Sequence, residues 1–224
     1  MPGTLYVVAT PIGNLQDFGE RAMQTLMQVD LIASEDTRVT RKLLDHFGVK
    51  TPTTSLHKHS SCAKEESLIR EIAGGTVVAM VTDAGTPAIS DPGSKFIEMA
   101  VKAGIDVIPI PGASALTTAL CVSGFQTRPF TFYGFPPTKK GRTKFFDVVN
   151  QTKHTSVLYE SKHRIVKTLE AIDPSRSIML ARELTKKHET IYRGTPPSVI
   201  QQLEQGSSKG EFVIVIGPKS SKLL

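Results

Sequence analysis

The sequence predicts an α/β fold in two parts, a parallel sheet followed by a mixed one. Three observations carry this. Short β-branched runs alternate with longer amphipathic segments from Thr4 to Gly124, the pattern of successive βαβ units. The texture then breaks in SGFQTRPFTFYGFPPTKKGRTK (123–144), where four of the ten phenylalanines crowd among proline, glycine and cations. Beyond it, ARELTKKHETIYRG reads as two strands joined by a polar turn, which makes the second sheet mixed.

In the first part, TLYVVATP (4–11) is expected to be a buried strand, ERAMQTLMQ (20–28) a helix and DLIASED (30–36) a strand. TRVTRKLLDHFG (37–48) has helical spacing at Val39, Leu43, Leu44 and Phe47 and ends at Gly48, a residue that closes helices without a Cβ penalty. PTTSLH (52–57) is a weak strand. CAKEESLIREIAGG (62–75) places Leu68, Ile69 and Ile72 on one helix face before two glycines. TVVAMVTD (76–83) is the strongest buried strand, followed by helix 93–104, strand 105–112 and a small-residue helix 113–124.

The break near residue 125 separates two expected domains, 1–124 and 125–224. In the second, strands are expected at 155–161, 177–185, 189–194 and 211–218, and helices at 163–172 and 196–206. Thr195 before Pro196 and Pro197 suits a helix start, with a capping hydroxyl and prolines where no intrahelical N–H is needed.

The chain of 224 residues is 39% hydrophobic and 21% charged, enough to build folded cores and unlike a disordered segment. No apolar run approaches the roughly 18 residues of a membrane span, and the first residues lack a signal peptide's basic and apolar regions, so a soluble cytoplasmic protein is expected. Cys62 and Cys121 stand far apart with no metal-ligand spacing, and the six histidines form no constellation; no metal site is expected. Net charge is unevenly shared. Residues 1–124 hold 10 Lys/Arg against 13 Asp/Glu, residues 125–224 hold 17 against 8, and a basic half favours a polyanionic partner.

Each strong strand of the first part runs into a polar or glycine-rich cluster: ATPIGN, SEDTR, TDAGTPAISDPG and PGASA. A parallel sheet collects such clusters at one edge, where ligands of open α/β sheets bind. Asp83 and Asp91 supply acceptors, while Gly85 and Gly93 permit φ > 0 or close approach. Two carboxylates would repel a phosphate, so a neutral or cationic small molecule with many donors fits better; a pair of structural Asx-turns is the alternative. GxGxxG, GxxxxGK[ST] and GxSxG are all absent, which disfavours dinucleotides, nucleoside triphosphates and serine hydrolysis. In SEDTR, Glu35 and Asp36 either complement a helix dipole or position and deprotonate a substrate hydroxyl, with Arg38 and Arg41 able to hold phosphates. Lys139, Lys140 and Arg142 in KKGRTK, Lys162 and Arg164 in YESKHR, and Arg182 and Lys187 in ARELTKKHE lie near aromatic residues, a mixture suited to RNA.

Taken together, TPIGNLQD, ASEDTR, VTDAGTPAISDPG, PIPGASA, FYGFPP, YESKHR and ARELTKKHET resemble the tetrapyrrole-methylase superfamily, from Thr4 to about Pro218. Within it they are most similar to the branch that 2′-O-methylates a cytidine ribose of small-subunit (16S) ribosomal RNA. The resemblance implies two αβα domains with S-adenosylmethionine in the cleft between them, and usually a homodimer. By motif match it implies that Pro11, Asp83, Ala84, Gly85, Thr86, Ile89, Ser90, Asp91, Pro92, Ser114 and Ala115 line the cofactor site, closed from the second domain near Tyr159 and Ala181. Many members carry GxGxGD after the first strand; ATPIGNLQD, with Gly13 alone, points away from a porphyrinoid and toward RNA, as ribosomal RNA or an assembled 30S subunit. Glu35, Asp36 and Lys186 are the candidates for the group that takes the hydroxyl proton. Methylation of a tetrapyrrole and a non-catalytic RNA-binding role are the alternatives.

Overall fold

The computed structural model describes residues 3–219 and separates into two compact units, one up to Ser114 and one from Ala115 onward. The division falls ahead of the junction expected near residue 125. Its physical reason is the small-residue helix that follows Ser114, which packs on the last strand of the second unit.

In the first unit the elements are β1 (Thr4–Val8), a 3₁₀ turn (Leu15–Asp17), α1 (Glu20–Gln28), β2 (Leu31–Ser34), α2 (Thr37–His46), β3 (Thr53–Ser55), α3 (Cys62–Ala73), β4 (Val78–Val81), α4 (Ser94–Lys102) and β5 (Asp106–Ile110). The five strands pair in parallel in the order β3-β2-β4-β1-β5. Strand alternation divides the core into two. Leu5, Ala33, Val78 and Met80 point to α3 and α4, meeting Ile72, Phe96 and Ala100. Val8, Ile32, Ala79 and Val81 point to α1 and α2, meeting Leu26 and Leu44. Covering both faces explains why β4 reads as an uninterrupted apolar run, all four residues buried. Truncating Ile72, fully buried, to alanine would cost about 2–5 kcal/mol. Helix ends follow the sequence: Asp36 caps α2 through Arg38 N, Ser61 caps α3 through Lys64 N, and Gly48 leaves α2 at φ +69°.

The second unit comprises α5 (Ala115–Cys121), β6 (Phe130–Gly134), α6 (Arg142–Gln151), β7 (Thr155–Ser161), α7 (Ile165–Glu170), β8 (Ile178–Arg182), β9 (Thr190–Gly194), α8 (Pro196–Gln205) and β10 (Glu211–Ile216). Its sheet runs β6-β7-β10-β8-β9, parallel only between β6 and β7, so the expected mixed sheet is present and β8 and β9 form the expected antiparallel pair. Leu158, Ile178, Leu180, Phe212, Ile214 and Ile216 pack against α6, α7 and α8; α5 lies against β10.

Two elements went unexpected, β6 and α6, both in or beside the stretch read as a junction. β6 is an edge strand with a register shift between Phe132 and Gly134, so it lacks clean alternation. Thr195 does precede α8, but its hydroxyl makes no capping bond; Pro196 and Pro197 in the first turn set the helix start.

Candidate active site

Four loops leave adjacent strands at the carboxyl edge of the first sheet, those after β2, β4, β1 and β5. Thr10 and Gly85 exchange two backbone hydrogen bonds, at 2.9 and 3.1 Å, joining the loops after β1 and β4. The Thr10 hydroxyl donates to Thr82 O at 3.1 Å. The Thr82 hydroxyl donates to Glu35 Oε2 at 2.9 Å, and Asp36 N donates to Asp83 Oδ1 at 3.1 Å, so the β2 loop is held as well. Thr86 Oγ1 reaches Ala113 O at 3.2 Å and secures the β5 loop. The predicted clusters after these four strands are therefore one hydrogen-bonded rim.

Backbone shape follows from side-chain size. Gly85 has φ +86°, and a Cβ there would stand 3.2 Å from Ile12 Cγ2. A Cβ on Gly112 would approach Ala9 Cβ to 2.9 Å. Glycine at these positions lets the loops close on one another while leaving the rim open.

The rim is acidic. Burial of the Asp91 carboxyl, reinforced by the charges of Glu35 and Asp83, pushes its pKa up from the ordinary carboxylate value. Asp83 is raised too, by partial burial and then by Glu35 and Asp36, against the bond from Asp36 N. Asp36 is the opposite case. The Arg38 guanidinium donates to both its oxygens, at 3.0 and 2.7 Å, and Arg38 N to Oδ1, which holds the carboxyl well below the usual range. Carboxyls raised by burial and by their neighbours' charge are stabilised in the ionised form by a cation placed among them.

Pro11 is buried beside Thr10; Ala84, Ile89 and Ser90 are exposed around Asp83 and Asp91; Pro92 and Ser114 are half-buried. Ala115 opens α5 and Tyr159 lies in β7, both half-buried in the second unit. Ala181 is fully buried in β8 between Val213 and Ile191 and offers no exposed surface.

The basic residues divide sharply. Lys139, Lys140, Lys162 and Lys187 are exposed. Arg38 is exposed but paired with Asp36, and Arg41 lies 4.0 Å from Asp45. Arg182, expected to contact RNA, is buried, with Nε donating to Lys209 O at 2.6 Å and Nη1 to His188 O at 3.0 Å. It walls a depression of about 490 Å³ shared with Glu183, His188 and Lys209. Arg142 and Arg164 are likewise turned inward. Arg142 donates to Pro137 O and Thr168 Oγ1, and Arg164 pairs at 2.8 Å with the buried Glu160. Lys186 sits between Glu183 Oε1 at 3.1 Å and Glu211 Oε2 at 2.9 Å. Burial alone would lower its pKa, but the two carboxylates outweigh this and raise it.

Sequence reasoning missed Thr10 and Thr82, the hydroxyls that knit the rim, and Glu160. The signal was present in each case: a polar residue at the end of an apolar strand, and an acid inside one.

Residues 4–199 match the family model described as Tetrapyrrole (Corrin/Porphyrin) Methylases. The chain belongs to the tetrapyrrole methylase family. Curated relatives span it almost end to end. A Synechocystis protein named ribosomal RNA small subunit methyltransferase I is 47% identical over 219 residues, 96% of this chain and 78% of its own. Proteins of the same name from Halalkalibacterium halodurans and Haemophilus influenzae are 45% and 44% identical, covering 99% and 98% of this chain and 78% and 80% of theirs. Among solved structures, a diphthine synthase superposes with TM-score 0.73 at 14% identity, over 96% of this chain and 90% of its own. A Thermus thermophilus uroporphyrin-III C-methyl transferase complexed with S-adenyl homocysteine gives 0.66 at 15%, over 96% and 97%. At such identities the likeness carries the fold of the family and no more.

Proposed function

We propose that this chain uses S-adenosylmethionine to methylate the 2′-hydroxyl of a cytidine ribose in small-subunit ribosomal RNA. The observation that carries the reading is the near-complete coverage at 44–47% identity by relatives named for small-subunit ribosomal RNA methylation. The acidic, glycine-shaped rim supports the cofactor, and the exposed lysines of the second unit support the RNA.

Asp83 and Asp91 would hold the cofactor's cationic groups, with the tight turns at Gly85 and Gly112 giving its ribose and methionine access to backbone. S-adenosylmethionine, when bound, supplies a methyl group already activated as a sulfonium. The chain's own work is then to orient the hydroxyl in line, exclude water and accept one proton. Among the three candidates, Lys186 is protonated and Asp36 is a weak base held by Arg38. Glu35, whose Oε2 accepts from a hydroxyl and not from a cation, takes the role of proton acceptor. Lys139, Lys140, Lys162 and Lys187 supply phosphate contacts. The enzyme works in the cytoplasm, as a homodimer.

The test is titration with S-adenosylmethionine followed by labelled methyl transfer to 30S particles and to free ribosomal RNA from cells lacking the modification. A 2′-O-methyl group blocks alkaline cleavage of the adjoining phosphodiester, so the product must give an alkali-resistant dinucleotide beginning with cytidine. Label recovered on the base, or on a tetrapyrrole, overturns the proposal.

A further inference from the structure

Resting on the RNA reading above, we infer that Phe135 is a preformed stacking platform for an unpaired base of the RNA, and hence that the substrate is engaged as single strand and not as duplex. Phe135 is 53% exposed. Single exposed apolar side chains are ordinary on protein surfaces; what distinguishes this one is its support. Its ring meets Tyr159 edge-on at 5.5 Å, and Tyr159 meets Phe132 edge-on at 4.9 Å, so three aromatic rings form a ladder whose outermost member is open to solvent.

The loop carrying Phe135 is fixed from behind. Pro136 and Pro137 have ring-locked φ and no N–H. Arg164 Nη1 donates to Pro136 O at 2.9 Å, and Arg142 Nη1 donates to Pro137 O at 3.1 Å. Both guanidiniums lead to one buried acid: Arg164 Nη2 pairs with Glu160 Oε1 at 2.8 Å, and Arg142 Nη2 donates to Thr168 Oγ1 at 2.7 Å, whose hydroxyl donates to Glu160 Oε2 at 2.6 Å. The two arginines therefore hold the platform in place. Lys139 and Lys140 follow the prolines in the chain and Lys162 precedes the Arg164 clamp, all exposed, so cations able to meet the backbone adjoin in sequence the ring offered to the base and the clamp behind it. That pairing of cation and exposed aromatic is how proteins grip single strands, whose bases are free to stack.

The experiment compares the full chain with F135A and F135W. F135A is expected to weaken binding of a short single-stranded oligoribonucleotide about tenfold and to raise KM for 30S methylation similarly, with F135W restoring both. Affinity for S-adenosylmethionine and the melting temperature should stay at the parent values, and a duplex of the same length should bind both proteins alike. An unchanged RNA affinity and KM in F135A overturns the inference while leaving the methyltransferase reading intact. So does a loss confined to cofactor affinity, or a change of oligomeric state, which would assign the ring to the cofactor or to a second copy. A parent protein that neither binds nor methylates RNA overturns both.

Discussion

The hydroxyl of Thr82 donates to Glu35 Oε2 at 2.9 Å, tying the end of β4 to the end of β2. Thr82 is buried, and its carbonyl also receives the Thr10 hydroxyl. Thr82→Val keeps the shape and removes the donor. It should cost about 1 kcal/mol of stability, read by denaturant melting, and should lower kcat by a larger factor because Glu35 loses its orientation. Glu35→Gln should lower kcat about 10²- to 10⁴-fold with affinity for S-adenosylmethionine little changed. Full activity in Glu35→Gln would remove it as the proton acceptor.

Cofactor binding should fail at two positions for different reasons. Asp91→Ala removes a carboxylate from the rim and should weaken S-adenosylmethionine binding at least tenfold in a calorimetric titration, with the fold intact. Gly85→Val puts a branched side chain where φ is +86° and Ile12 stands 3.2 Å from the new Cβ. It should abolish binding and also lower stability by about 1–3 kcal/mol.

The acids of the rim respond to pH with opposite signs. Asp83 and Asp91 have raised pKa values in the folded chain, so they favour folding below the ordinary value of 3.8 and that contribution is lost as pH rises through their folded values. Asp36 is lowered, so its contribution is present above 3.8 and is lost as pH falls through its folded value. A bound cation prefers the ionised pair. Cofactor affinity should therefore rise with pH across the carboxylate range, with protons released on binding within that range and none well above it. Titration in two buffers of different ionisation enthalpy measures this directly.

Charge removal should separate solvent-facing cations from structural ones. Replacing Lys139, Lys140 and Lys162 with glutamine should weaken RNA binding and shallow its salt dependence by about one unit of slope for each phosphate no longer neutralised, leaving the melting temperature alone. Arg142→Gln should instead lower the melting temperature, because its donors belong to Pro137 and Thr168.

How much of this was legible beforehand depends on how local the cause is. The αβ alternation, the Gly48 stop and the acidic helix start at SEDTR are set by residues within a turn of one another, and Asp83 and Asp91 stood out by their spacing in VTDAGTPAISDPG. The second sheet's edge strand was hidden because aromatic and proline-rich segments with a register shift mimic a linker. The fate of the arginines was hidden for another reason. Whether a guanidinium faces water or protein depends on an acceptor far along the chain, 28 residues away for Arg164 and Pro136, and charge patterning carries no information about it. Thr10 and Thr82 likewise acquire meaning only once the topology sets their strands side by side.

Glu160 allows a stability test of the buried clamp. Its side chain has no exposure, and its removal strands Arg164 and the Thr168 hydroxyl. Glu160→Ala should lower the unfolding free energy by about 3 kcal/mol in a denaturant series, whereas Glu170→Ala, exposed at the end of α7, should change it little.

The strand order of the first sheet sets a timetable for synthesis. β1 is made first, yet its neighbours on either side are β4 and β5. At about 5–20 residues per second, a ribosome needs roughly 5–20 s to produce the chain that encloses it. Until β4 is made LYVV has both edges bare, and until β5 is made it has one, the kind of apolar segment that pairs with the wrong neighbour. Shielding of the nascent chain over that period protects the first sheet from mispairing, a requirement set by the order of synthesis and invisible in the finished molecule.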